Sequence, residues 1–237
     1  MPIEVFGPGY QFLPRDEILN FDELVRTVRV AVELGVRKVR LTGGEPLLRR
    51  GVEDLVAMIA AVPGVKDLAM TTNGILLNHH AKSLVAGGLD RVTVSLDALN
   101  EETFAKMNGV GAKVDRVLSG IRSAQEHGLP VKVNMVVQRG VNEQEIAPMI
   151  RWSHDAGVIL RFIEFMDVGE TNGWGKQEVV TAEEILAIVS EQVRVEEVSA
   201  AYPGEVARRW RFLDGAGEFG TISSVSQPFC GACSRLR

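Results

Sequence analysis

The sequence predicts an α/β protein built on parallel strands, for three reasons. Short apolar runs alternate with amphipathic stretches at a period of roughly 30 residues, the length of a strand–helix–strand unit. Glycines fall where helices should stop, a few residues ahead of the next apolar run. Several of the strands alternate polar with apolar side chains, with cations among the polar ones. Units of this kind form either an open doubly wound sheet or a barrel.

The elements follow in order. Strands are expected over Lys38–Thr42, Asp67–Thr72, Arg91–Asp97, Val131–Val137 and Arg161–Asp167. Helices are expected over Phe21–Leu34, Val52–Ala61, Ala81–Ala86, Val114–His127 and Glu143–Ala156. Asn20 precedes Glu23, Asn142 precedes Glu145 and Thr181 precedes Glu184, each at the spacing of a capping box. Gly35, Gly87 and Gly128 mark helix ends. Beyond about Gly169 the pattern changes. A helix over Thr181–Ser190 leads to apolar segments Val193–Val198, Arg208–Leu213 and Gly217–Val225, the last two flanking Asp214-Gly-Ala-Gly, a hairpin signal. The chain therefore divides into a βα region, residues 1–168, and a C-terminal extension, residues 169–237. The first regular element is a helix, whereas βα folds begin on a strand. Met1–Asn20, broken by Gly7-Pro8-Gly9 and Pro14, reads as a loop, so the first strand is expected to be missing.

Composition excludes several classes. The 237 residues are 46% hydrophobic and 24% charged, an ordinary globular balance that argues against disorder and collagen-like repeats. A net charge of −5 supplies no general field for nucleic acid or anionic lipid. The longest apolar run, Leu55 to Val62, is far too short to span a bilayer, and no signal peptide is visible, so a cytoplasmic protein is the expectation. The only two cysteines, Cys230 and Cys233, form one Cys-x-x-Cys near the end of the chain, which rules out a disulfide scaffold. They read either as a redox pair or as part of a metal site.

Candidate chemistry lies at the carboxyl ends of the strands, where barrels and open sheets bind ligands. Lys38, Arg40 and Thr42 share one face by the two-residue period, with Val39 and Leu41 on the other. Lys132 and Asn134 alternate with Val131, Val133 and Met135; Arg161 opens another strand, and a further one offers Thr93, Ser95 and Asp97. Cations on normally buried strands need partners, and several of them suit a polyanion such as a nucleoside triphosphate. Glu164 and Met166 have the parity opposite to Arg161, so one of them is expected past the strand end. Gly43-Gly44-Glu45-Pro46 allows close approach of a ligand to the backbone, with Glu45 able to accept from an ammonium, but reads equally as a tight turn. Thr71-Thr72-Asn73-Gly74 closes the next strand in a similar way. Asn108-Gly-Val-Gly111 follows a helix and reads as a turn. The four histidines, His79, His80, His127 and His154, lie in helices at no metal-ligand spacing.

On Arg40-Leu-Thr-Gly-Gly-Glu-Pro-Leu-Leu-Arg-Arg50, Arg161-Phe-Ile-Glu-Phe-Met-Asp-Val-Gly169 and Ser224-Val-Ser-Gln-Pro-Phe-Cys230, the sequence resembles the MoaA family of GTP 3′,8-cyclases, radical S-adenosylmethionine (SAM) enzymes of molybdenum-cofactor biosynthesis. The resemblance runs through the whole chain. It implies a partial (β/α)6 TIM-like barrel with a C-terminal extension, and a lyase that converts GTP to 3′,8-cyclo-7,8-dihydroguanosine triphosphate. It also implies two 4Fe-4S clusters, SAM as cofactor, an electron donor, and a downstream cyclic pyranopterin monophosphate synthase; a homodimer is left open.

Carried over by position, Gly44, Ser95 and Met166 match the family's SAM contacts, with Gly43 and Glu45 as neighbours. Arg40, Thr71 and Lys132 match its GTP contacts, and Lys38 and Arg161 match further triphosphate-facing cations. Cys230 and Cys233 match two ligands of the second cluster, and Arg235, Leu236 and Arg237 match the segment that touches GTP beside it. The three-cysteine loop that holds the first cluster in the family has no counterpart in this sequence, and neither does the third ligand of the second cluster. The chain is thus expected to be an internal fragment, inactive alone. The alternatives are a fragment that only binds GTP or SAM, or another radical SAM enzyme such as a peptide-modifying one.

Overall fold

The computed structural model describes residues 14, 17–109, 111–167, 174–202, 204–228 and 231. They divide into two compact units: the segments up to Ser95 together with Asp115–Val131, and Leu96–Val114 together with Lys132 onward.

The first unit opens with α1 (Phe21–Glu33). The Asn20 side chain accepts from the Glu23 N–H at 3.0 Å, and Glu23 Oε2 accepts from the Asn20 N–H at 2.8 Å. The capping box expected here thus forms, satisfying amides that a helix start leaves without partners. Strands β1 (Lys38–Leu41), β2 (Asp67–Thr72) and β3 (Arg91–Ser95) run parallel, with Arg40 beside Ala69, and Thr71 beside Thr93. Helices α2 (Val52–Ala60) and α3 (Leu77–Ala86) connect them. Leu68, Met70, Val92 and Val94 turn to one face and are buried together with Leu55, Val56 and Ile59 of α2 and Leu77 and Leu84 of α3. Lys38, Arg40, Asp67, Thr71, Arg91 and Thr93 take the other face, as the two-residue period requires. There Arg91 forks onto Asp67, with Nε and Nη2 donating at 2.9 and 2.7 Å.

Helix α3 starts four residues earlier than its sequence pattern suggests, because it starts without a cap. The residue at its N-cap position is Leu76, whose side chain can accept nothing, so the sequence carries no start signal there.

The second unit contains α4 (Glu101–Asn108), β4 (Val131–Val137), α6 (Ile146–Ala156), β5 (Ile159–Glu164), α7 (Ala182–Gln192), β6 (Val195–Val198), β7 (Arg208–Phe212) and β8 (Glu218–Ile222). The helix between α4 and β4, α5 (Val114–Glu126), falls almost wholly in the first unit. Strand β4 pairs parallel with β5, β5 parallel with β8, and β8 and β7 antiparallel with β7 and β6 in turn. The hairpin read from Asp214-Gly-Ala-Gly is present, and its second strand continues the parallel sheet. Phe162 of β5 meets Phe219 of β8 edge-on at 6.2 Å, and Phe219 stacks on Phe212 and Trp210 of β7 at 5.7 and 6.4 Å. This aromatic cluster supplies the buried contact that fuses the extension to β5.

Two expectations need correction. The capping box at Asn142 and Glu145 does not form, because both side chains are buried and drawn to tertiary partners. Asn142 Oδ1 accepts from the Gln138 N–H, and its Nδ2 donates to the carbonyls of Asp97 and Val136, each at 2.8 Å. Glu145 Oε2 accepts from the N–H groups of Leu99 and Asn100 at 2.8 and 3.1 Å. Residues 143–145 form a single 3-10 turn instead, and α6 begins at Ile146. Strand β5 begins at Ile159 and ends at Glu164, two residues earlier at its start and three earlier at its end than the reading of Arg161–Asp167. Its hydrogen bonding starts as soon as Gly157, in the left-handed region at φ 63°, has ended α6.

Helix α5 comes unusually close to the loop after β2. A Cβ placed on Gly120 would lie 2.5 Å from the Gly74 carbonyl oxygen and 3.0 Å from Leu77 Cβ. Gly74 itself has φ +77°, with the side chains of Val94 and Val117 filling the space where its own Cβ would go. Gly120→Ala is therefore expected to destabilise the protein by about 1–3 kcal/mol, the usual cost of overpacking. A lower urea midpoint with an unchanged slope would register it, and a wild-type midpoint would show that the helix can withdraw freely.

Candidate functional site

In the first unit the polar strand face carries a seated cation. Arg40 Nη1 donates to Thr71 Oγ1 at 2.9 Å and more loosely to Thr93 Oγ1 at 3.4 Å. Thr93 is fully buried, whereas Arg40 is exposed, so the guanidinium is held from the buried side of the strand face. Lys38 is also exposed on β1, two residues before Arg40. The structure therefore brings Arg40 and Thr71 together, with Lys38 on the same strand face level with Asp67.

Gly43 and Gly44 follow β1 directly. A Cβ on either would meet nothing within 4 Å, which leaves an open backbone ledge, and the φ of +149° at Gly43 disfavours any other residue. The ledge is fixed by Glu45. Its Oε1 accepts from Thr72 Oγ1 at 2.6 Å and from the Leu47 N–H at 3.1 Å, while Oε2 accepts from the Asn73 N–H at 2.7 Å. Thr72 Oγ1 in turn accepts from the Gly74 N–H at 3.0 Å. The carboxylate thus ties the turn after β1 to the turn after β2. Ser95 ends β3 and is exposed.

In the second unit, Lys132 and Asn134 stand on one face of β4, and Asn134, Arg161 and Gly220 lie side by side across β4, β5 and β8. Gly220 makes room for its neighbour, since a Cβ there would sit 3.3 Å from Arg161 Cγ. The Oδ1 of Asn134 is buried with no hydrogen-bond partner among the described residues, and the strand pairing puts it next to Arg161. An orphaned buried acceptor of this kind fits a polar ligand that brings its own donor. Met166 lies past the end of β5 and is 40% exposed. Just beyond it in sequence, Trp174 Nε1 donates to the Phe165 carbonyl at 2.9 Å. Cys230, Cys233, Arg235, Leu236 and Arg237 lie outside the described residues.

Two carboxylates with no role assigned from sequence stand out. Glu164, fully buried at the end of β5, takes the face opposite Arg161, and its parity in the sequence was the available signal. Asp97, just past β3, accepts from the Val136 N–H at 2.8 Å. Burial outweighs that bond and pushes the Asp97 carboxyl up to about 6.

The ledge at Gly43 and Gly44, with Ser95 exposed at the end of β3 in the same unit, offers room and polar groups for a nucleoside cofactor. For an iron–sulfur cluster the sequence supplies only part of a ligand set, Cys230 and Cys233, both outside the described residues. No three His, Cys, Asp or Glu side chains among the described residues could hold a metal, and the whole sequence has only two cysteines.

Comparison with known proteins places this geometry. Residues 6–153 match the family model of the radical SAM superfamily, and residues 158–237 match that of Molybdenum Cofactor Synthesis C. The GTP 3′,8-cyclase of Acidothermus cellulolyticus is 51% identical over 238 residues, covering 100% of this chain and 66% of that protein. The enzyme of the same name from Staphylococcus carnosus is 46% identical over 237 residues, covering 100% of this chain and 70% of that protein. The chain thus spans about two thirds of the length of these relatives. Among solved structures, Streptococcus suis SuiB bound to S-adenosylmethionine superposes with a TM-score of 0.61 at 17% identity, over 77% of this chain and 41% of that one. The fold is the parallel α/β fold of radical SAM enzymes, as the sequence implied.

The raised Asp97 carboxyl makes stability depend on pH. Its folded value exceeds the ordinary 3.8, so folding favours the protonated form. The stabilisation is complete below about pH 4 and is lost as the pH rises through about 6. With Asp97 only half-buried, the loss is on the order of 1–2 kcal/mol. Asp97→Asn keeps an acceptor for Val136 and removes the titration. Its urea midpoint is expected to exceed that of the wild type at pH 8 and to equal it at pH 4. Parallel pH dependences in the two proteins would be the contrary result.

Proposed function

The chain belongs to the GTP 3′,8-cyclase family of the radical SAM superfamily, and from that premise we propose that it carries GTP- and SAM-binding surfaces of a cyclase that joins C3′ and C8 of GTP in molybdenum-cofactor biosynthesis. The observation that carries this reading is the Arg40 guanidinium seated on Thr71 and Thr93, a cation fixed on the polar strand face of the first unit. Arg40, Thr71 and Lys132 are assigned to GTP, with Lys38 and Arg161 as further triphosphate-facing cations. Guanidinium forks and ammonium point charges are the groups that recognise phosphate. Arg235, Leu236 and Arg237 are assigned to the same substrate by their match to the family.

SAM is assigned to Gly43, Gly44, Ser95 and Met166. When bound in this family it supplies the radical that starts the reaction. The chain's part is to hold the cofactor against an open backbone ledge, with Glu45 fixing that ledge from behind through Thr72 and Asn73. Cys230 and Cys233 are assigned to a 4Fe-4S cluster on the substrate side, as two of its ligands. The family's two clusters need more ligands than the two cysteines of this sequence. The βα region, residues 1–168, and the extension, residues 169–237, are proposed as the two domains, with the cytoplasm as the compartment. An electron donor and an enzyme that consumes the cyclised nucleotide are the expected partners.

Binding and turnover test separate parts of this reading. Equilibrium dialysis with labelled GTP is expected to show saturable binding that Arg40→Ala weakens about tenfold or more, the scale of a lost hydrogen bond to a charged group. Absence of binding to the wild-type chain would overturn the GTP assignment. Anaerobic reconstitution with iron and sulfide, followed by GTP, SAM and dithionite, is expected to yield no cyclised nucleotide and no 5′-deoxyadenosine. Formation of either would show that the chain assembles a radical-generating cluster from other ligands.

A further inference from the structure

We propose that Glu164 is a positioning residue that fixes the path of the chain toward Cys230, so that the end of β5 and the segment leading to the cysteines are held as one piece. The inference rests on the reading of Cys230 and Cys233 as cluster ligands.

The Glu164 side chain is fully buried, a place where a carboxylate survives only if its oxygens are satisfied. Here they accept four hydrogen bonds. Oε1 accepts from the Ala182 N–H at 2.8 Å and from Ser226 Oγ at 2.5 Å. Oε2 accepts from the N–H groups of Val225 and Ser226, both at 2.8 Å. Two of the donors belong to the same residue, Ser226, which stands four positions before Cys230. A third, Ala182, is the first residue of α7, where free amides and the helix dipole favour a negative charge.

The position of Glu164 on its strand gives the clasp its consequence. Three residues earlier on β5 is Arg161, on the opposite face, and two residues later is Met166. A shift of the Ser226 segment would therefore be transmitted to the strand end that carries the proposed GTP and SAM contacts. No β-ladder holds Val225 and Ser226, since β8 ends at Ile222. Glu164 takes the place of a neighbouring strand for these two amides.

A purely structural carboxylate would, when altered, loosen the whole unit; a positioning one would loosen only what it holds. Glu164→Gln keeps shape and volume but replaces one acceptor oxygen with an NH2 group that faces donors. Native-state hydrogen exchange on the metal-free chain is expected to accelerate about tenfold or more at Val225, Ser226 and Ala182, in line with the loss of charge-assisted bonds. Exchange at Val133–Val137 of β4 should stay within about twofold of wild type, reflecting no global change. In the same samples, iodoacetamide should alkylate Cys230 and Cys233 faster in the variant, approaching the rate in urea. Ser226→Ala, which removes only the hydroxyl, should fall between the two and keeps the test available if Glu164→Gln fails to fold.

Acceleration spread evenly over β4 and the 225–226 segment, or thiol rates unchanged in Glu164→Gln and in Ser226→Ala, would overturn the proposal. The readout is thiol and amide chemistry without iron, so it stands apart from the cluster reading. That reading fails separately, if the isolated thiols respond as expected but Cys230→Ala in a full-length relative leaves its iron content at wild type.

Discussion

The amides that follow a parallel strand are the weak point of this architecture, and buried carboxylates are its answer. A strand's ladder satisfies its own N–H groups, but the turn after its carboxyl end has none, and each buried amide left without a partner costs about 1–3 kcal/mol. An ionised carboxylate has about four acceptor positions and makes short, charge-assisted bonds, so one side chain can serve a whole turn. Glu45 serves Leu47 and Asn73, and Glu145 serves Leu99 and Asn100. Glu164 serves Ala182, Val225 and Ser226. Asp97 serves Val136 alone, and burial pushes its carboxyl up to about 6.

The polar strand faces hold their cations in two ways. Arg40 donates to two threonine hydroxyls, neutral groups that orient the guanidinium. Arg91 shows the contrast. Two strands over, on β3, its fork is taken by Asp67 of β2, and it reads as structure rather than as a ligand contact. A cation opposite a carboxylate is a strut, whereas hydroxyls orient a cation without supplying an opposite charge.

Much of this was legible in the sequence because it depends on period. The alternation in Lys38-Val-Arg-Leu placed Arg40 on the polar face without further information, and Val131–Val137 was bounded correctly by its own alternation. Local chemistry was legible too: Asn20 with Glu23 and Thr181 with Glu184 form the boxes that their spacing announces. Asn142 with Glu145 has the same spacing and does not, because their side chains found stronger partners in segments up to 46 residues away. Such bonds leave no local trace. The same holds for Glu45, whose spacing suggested a ligand contact, while its bonds to Thr72 and Asn73 join two turns that only the fold brings together. The tail could be read only by resemblance, since Cys-x-x-Cys is compatible with several chemistries until its neighbours are known.

Strand β5 shows why binding and bracing are inseparable here. Its two-residue period assigns Arg161 to one face and Phe162 and Glu164 to the other, and β8 pairs beside it so that Gly220 lies against Arg161 and Thr221 is level with Phe162. A register slip of one residue would exchange the faces, putting Phe162 where the cation stands and Arg161 into the aromatic cluster. The Phe162–Phe219 contact and the four bonds to Glu164 both resist that slip from the buried side. The position of Arg161 on β5 is therefore set by groups on the opposite face. Substitutions on that hidden face should consequently disturb the proposed triphosphate contact as surely as substitutions on the open one.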